Sequence, residues 1–158
     1  MQKYLVISIV LVVCLALVAC GGKREDGGKV LLDFGDVHFD KNSSQLKPEG
    51  KAELDKAAAK LEKSLRGKET MPEKYAHVLI EGHTDDTGTE AFNLKLSKDR
   101  ADSVAKVLID EKGFNKALFV TKGVGWENPK YPNTSDANRE KNRRVLIVLI
   151  PAEKEKKQ

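Results

Sequence analysis

Apolar positions change their spacing several times along the chain, and each change marks an element. From Val30 to Phe39, β-favouring apolar residues predict a first strand. Leu54, Ala57, Ala58, Leu61 and Leu65 then recur at spacings of three and four, and Pro48 suits a first helical position, so a helix is predicted over 48–65. Tyr75–Glu81 (YAHVLIE) and Phe119–Val124 predict a second and a third strand. Arg144–Ile150 (RVLIVLI) is apolar on both faces and predicts a fourth strand that is central or covered. Between strands two and three lies a second helix over about 89–112, with Thr87 and Glu90 in capping-box spacing and Gly113 as its stop.

The order β-α-β-α-β-β predicts an α/β domain of two layers, helices packed on a mixed four-stranded sheet, over residues 30–151. With 158 residues, one core is expected. Residues 125–141 read as a long polar loop with a short helix near 135–141, and a loop of that size in a small domain points to a binding surface. GGKREDGGK, 21–29, has linker composition, and 152–158 (AEKEKKQ) reads as a charged tail.

Residues 1–19 have the layout of a signal peptide: Lys3, then an almost unbroken apolar run from Tyr4 to Val18, then small residues before Cys20. At ~1.5 Å per residue the run makes a helix of ~22 Å, short for a ~30 Å hydrocarbon core. Leu17-Val18-Ala19-Cys20 resembles the bacterial lipobox, which implies cleavage before Cys20 and acylation of its thiol; the alternative is an uncleaved anchor. Two or three acyl chains exceed the marginal membrane affinity of one. A chain beginning at Cys20 has no second cysteine, because Cys14 lies in the removed segment, so the fold is expected to stand on its core without a disulfide.

Charge narrows the function. Lys+Arg 28 against Asp+Glu 24 leaves +4, scattered with no basic stripe carrying interleaved aromatics, which argues against a nucleic-acid binder. His38, His77 and His83 lack metal-ligand spacing, so no metal and no cofactor is expected. No local motif suggests a nucleophile with its base, and the adjacent Asp85 and Asp86 are weak evidence for hydrolysis. Trp126 reads as a packed loop anchor, the alternative being a platform on which a sugar stacks.

One charge stands where a core residue should. Projected at ~100° per residue, the second helix buries Leu94, Ala101, Val104, Val107 and Leu108, and Ser97 and Arg100 fall in the same arc with Asn93 at its border. An inward guanidinium needs partners. The turn feeding this helix, GHTDDTG, carries Asp85 and Asp86 where strand ends and loops collect ligands. Two arrangements satisfy these charges: Asp85 and Arg100 hold the ammonium and carboxylate of a zwitterion, or they pair with each other and pin the helix.

GHTD, N-x-x-L-S-x-x-R-A, G-x-G-x-x-x-P and NRRV, spaced through Val30–Ile150, resemble the OmpA C-terminal-like domain, and with the lipobox in front the chain is similar to peptidoglycan-associated lipoproteins. The resemblance implies non-covalent binding of peptidoglycan stem peptides through meso-diaminopimelate, with Asp85 taking the ammonium and Arg100 the carboxylate. Thr87, Asn93 and Arg143 match supporting polar positions, and Asp40 matches the strand-end acid. It further implies a non-enzymatic, lipid-anchored protein of the outer membrane with its domain in the periplasm. The competing reading is a hub whose main partner is a Tol-type periplasmic protein, wall binding being secondary. The 66–74 loop, RGKETMPEK, is long for the family and reads as a solvated connector, the alternative being a contact with a partner.

Overall fold

The computed structural model describes residues 23–26, 29–65 and 75–151, with side chains described over 36–65 and 77–150. The signal segment, Cys20, the 66–74 loop and the tail lie outside the described residues. In chain order the elements are β1 (Lys23–Asp26), β2 (Lys29–His38), α1 (Pro48–Leu65), β3 (Tyr75–Gly82), α2 (Glu90–Asp110), β4 (Phe119–Gly123), α3 (Asp136–Asn142) and β5 (Arg144–Pro151). The sheet order is β1-β2-β5-β3-β4. β5 is antiparallel to both β2 and β3, whereas β3 and β4 run parallel, so the sheet is mixed and its last strand is its centre.

The predicted α/β sandwich is therefore present, with one strand more than expected. Residues 21–29 have linker composition, yet Lys23–Asp26 pairs with Lys29–Leu32 as an antiparallel edge strand. Asp26 is opposite Lys29, in a strand that the polar composition of the segment hides.

α1 begins at Pro48, where the missing N–H costs nothing, and buries Leu54, Ala57, Ala58 and Leu61. α2 buries Ala101, Val104, Ala105 and Leu108 toward Val78, Ile80, Val145, Ile147 and Leu149 of the sheet, which together with α1 close the core. Two expectations for α2 are corrected. Its N-cap is Thr89, whose hydroxyl accepts from the Phe92 N–H, and not Thr87, which is committed to Asp85; Gly88 at φ 102 turns the chain between them. Leu94 is 42% exposed and Leu96 is buried in its place, because the buried arc of the N-terminal half is taken by Asn93, Ser97 and Arg100.

That half of α2 lies unusually close to the sheet. A Cβ built on Gly82 would stand 1.9 Å from the Ser97 carbonyl oxygen, and one on Gly123 would stand 2.5 Å from Lys98 N. Backbone therefore meets backbone at the ends of β3 and β4, which only glycine permits. The Ser97 hydroxyl completes the seam by accepting from Gly125 N–H at 2.9 Å and donating to Leu94 O at 2.8 Å. Gly123→Ala should lower stability by about 2 kcal/mol or more, since no flexible side chain can yield to the added methyl. Urea unfolding measures this, and a loss under about 0.5 kcal/mol, the usual range for a surface change, would mean the seam is not tight.

Candidate functional site

The seam leaves the N-terminal half of α2 facing a cleft where β2 and β3 end and β5 begins. The chain leaves β3 through His83, whose N–H donates to Arg144 O at 2.8 Å, and Thr84, whose N–H donates to Gly125 O at 2.8 Å. Asp85 is thereby held inward at 4% exposure. Its Oδ1 accepts from the Thr87 N–H at 3.0 Å and from the Thr87 hydroxyl, and its Oδ2 accepts from Arg143 Nη1 at 3.0 Å. Asn93 Nδ2 donates to Thr87 O at 2.9 Å, so Asn93 fixes the residue that fixes Asp85.

Arg100 enters the same cleft from α2 and is fully buried. Nε donates to Ser43 O at 2.8 Å, Nη1 to His83 O at 2.8 Å and Nη2 to Asp40 O at 2.7 Å. Its guanidinium also lies over the Phe39 ring, 5.4 Å from the centroid. Burial pushes its pKa down to about 10, with the Arg143 charge acting in the same sense and Asp85 and Asp40 opposing. It stays a cation at physiological pH. Arg143, between α3 and β5, reaches across the cleft and donates from Nε to Phe39 O at 3.3 Å.

The structure thus brings Asp85, Thr87, Asn93, Arg100 and Arg143 to one strand-end cleft. Asp40 joins them through its carbonyl, while its half-exposed carboxylate faces Lys47, with Lys47 Nζ 2.6 Å from Oδ2. The direct Asp85–Arg100 pair considered from the sequence is absent: the cation on Asp85 is Arg143, and Arg100 is met by carbonyls. Asp86 lies at the exposed mouth and pairs with Arg139 of α3 at 2.9 Å, which also meets Asp136 at 3.1 Å. Trp126 shares a small groove with Leu94, Val124 and Glu90 beside the seam.

Sequence reasoning missed Ser43 and His83, which act through main-chain oxygens that any residue would supply. It also missed Phe39 and Lys47, and for Lys47 the single available signal was a cation just before a proline-started helix. Among the described residues no group of three or more His, Cys, Asp or Glu could hold a metal ion. His38 Nδ1 is 3.1 Å from Glu53 Oε1 and His83 Nε2 is 3.1 Å from Glu81 Oε1, each a histidine–carboxylate pair. A concavity of about 510 Å³ lined by Ala58, Leu65, Lys112 and Phe114 contains none of the site residues.

The OmpA family model matches residues 38–143, a span that takes in all six of the site residues expected from the sequence. The outer-membrane lipoprotein YfiB of Pseudomonas aeruginosa is 38% identical over 117 residues, 74% of this chain and 63% of that protein. The probable lipoprotein YiaD of Escherichia coli is 36% identical over 126 residues, 79% of this chain and 53% of that one. The chain thus spans little more than half the length of each of these curated relatives. Among solved structures, the peptidoglycan-associated lipoprotein from Burkholderia pseudomallei is similar with a TM-score of 0.59 and 30% identity, over 72% of this chain and 88% of that one.

Burial opposes ionisation of Asp85, but the Thr87 hydroxyl and N–H and the Arg143 guanidinium outweigh it, so the carboxyl titrates below its ordinary value. A depressed folded pKa contributes stability that is complete above the unfolded value and lost as pH falls through the folded one. Asp85→Asn should therefore cost about 1–3 kcal/mol at pH 7. The deficit should shrink below about pH 4, where the wild-type carboxyl also becomes neutral. Urea unfolding at pH 7 and pH 3 tests this, and equal deficits would show that the ionised form is not what secures the turn.

Proposed function

This chain belongs to the OmpA family, and on that premise we propose that it is a non-enzymatic tether between the outer membrane and the cell wall. Lipid on Cys20 holds it in the periplasmic leaflet, and the strand-end cleft binds peptidoglycan non-covalently through the meso-diaminopimelate of the stem peptide. The observation that carries this reading is the convergence of Asp85, Arg100 and Arg143 in one cleft, with Arg100 on a helix stripe where an apolar side chain would be far cheaper to bury. The names of its relatives agree in kind: one is an outer-membrane lipoprotein, and the similar structure is of a peptidoglycan-associated lipoprotein.

The side-chain end of meso-diaminopimelate carries an ammonium and a carboxylate on one carbon. Arg100 is the cation for the carboxylate. Among the described residues three of its five N–H donors are met, all by carbonyls, and an ionised carboxylate is a stronger acceptor than the carbonyl it would supplement or displace. Asp85 is the anion for the ammonium, its rotamer set by Thr87 and Arg143 before any ligand arrives. Such preorganisation lowers the ordering cost of binding.

Calorimetric titration of the full-length protein in detergent micelles with L-alanyl-γ-D-glutamyl-meso-diaminopimelate tests the proposal. The analogue with lysine in place of diaminopimelate keeps the ammonium and lacks the carboxylate, and should bind about 10- to 100-fold more weakly. Asp85→Asn, once shown to be folded, should lose a similar factor. Equal binding of the two peptides would remove Arg100 from the site, and no binding of either would sink the tether mechanism.

A further inference from the structure

The most accessible acid of the cleft is already engaged by an ammonium. Asp85 is buried against Thr87 and Arg143, whereas the Asp40 carboxylate is half-exposed at the mouth with Lys47 Nζ at 2.6 Å. Asp40 and Lys47 are the two ends of a strap, residues 40–47, that covers Arg100 and supplies two of its three carbonyl partners. The strap doubles back on itself: Ser43 N–H approaches Asp40 O at 3.4 Å and Asn42 has φ 56, so Lys47, immediately before α1, returns to where the strap began. The ammonium of Lys47 is favoured first by Asp40, with Glu49 of α1 and Glu140 of α3 adding to it.

A ligand of the class proposed above bears its ammonium one carbon from its carboxylate. When that carboxylate is on Arg100 and the ammonium on Asp85, the carbon that bears both lies beside Asp40, whose own carbonyl meets Arg100 Nη2 at 2.7 Å. Of the two acids, Asp40 is the one whose partner can leave, because a half-exposed ion pair is held by little. We propose that Lys47 is a specificity-determining residue of the cleft: its tethered ammonium neutralises Asp40, which a ligand ammonium seated on Asp85 would meet as a second acid, so binding exchanges one ammonium for another at Asp40. A ligand without a free ammonium cannot make the exchange and meets a mouth that is already neutralised. The inference rests on the zwitterion reading of the cleft and adds to it the residue that screens ligands at the entrance.

The test compares wild type, Lys47→Met, Asp40→Asn and the double variant, as full-length protein in detergent micelles. Each is titrated with L-alanyl-γ-D-glutamyl-meso-diaminopimelate and with the same tripeptide acetylated on the side-chain-end amine. Both side chains are half-exposed, so the variants should keep the fold, which thermal unfolding verifies. Lys47→Met should bind the free-amine tripeptide about two- to fivefold more tightly than wild type at low ionic strength. The gain should fade at about 0.5 M salt. It should be absent for the acetylated tripeptide and absent when Asp40→Asn is already present. Unchanged binding by Lys47→Met, beside a wild type that binds, overturns the role of Lys47 and leaves the zwitterion reading standing. Weaker binding overturns it too and assigns Lys47 to a ligand carboxylate, and an equal gain for the acetylated tripeptide would show that no ammonium is being exchanged. Failure of both wild type and Lys47→Met to bind overturns both readings together.

Discussion

Burying the guanidinium of Arg100 would cost several kcal/mol if its N–H groups were left unmet, and the fold meets three of them with main-chain oxygens from Asp40, Ser43 and His83. Two of these lie on the strap before α1 and one on the turn after β3, so segments far apart in sequence are indexed to one side chain of α2. Carbonyls are dipoles and do not cancel a charge. The cleft therefore keeps a cation without a direct carboxylate partner beside Asp85, whose own charge is shared with Arg143. One side chain thus fixes the local fold and holds a cation at the strand ends.

The same requirement explains which parts of the chain were legible. Elements announced by periodicity were found at their expected places: α1 begins at Pro48 and ends at Leu65, and β5 is central as its two apolar faces required. Misreadings occurred where tertiary demands override local pattern. Leu94 lost its place on the buried arc to Asn93, Ser97 and Arg100, and Thr87 was withdrawn from capping by Asp85. Helical projection locates a face but cannot say that its first turns will bury polar groups. It also cannot reveal carbonyl partners, since every residue offers one.

Charged residues followed a similar division. Asp85, Arg100 and Arg143 could be named from motif and arc, but which anion meets which cation depends on the strand ends, and the structure pairs Asp85 with Arg143. Gly82 and Gly123 belong to the same account. They look like ordinary turn or strand-end glycines in the sequence, yet their missing side chains set the height of α2 above the sheet and hence the depth at which Arg100 enters.

The position of β5 in the sheet bears on how the molecule comes into being. β5 follows every other described element in the chain, yet it lies between β2 and β3, which have no direct pairing to each other in the sheet order. An emerging chain can form α1 and α2 as local helices, but its two halves have no strand pairing to join them until residues 144–151 are available. Contacts of such long sequence separation form late and make folding slow. The Asp85–Arg143 contact shares that schedule, because Arg143 directly precedes β5. The chain thus stays pliable until its last described strand arrives, and completes the Asp85–Arg143 contact in the same event that closes its sheet.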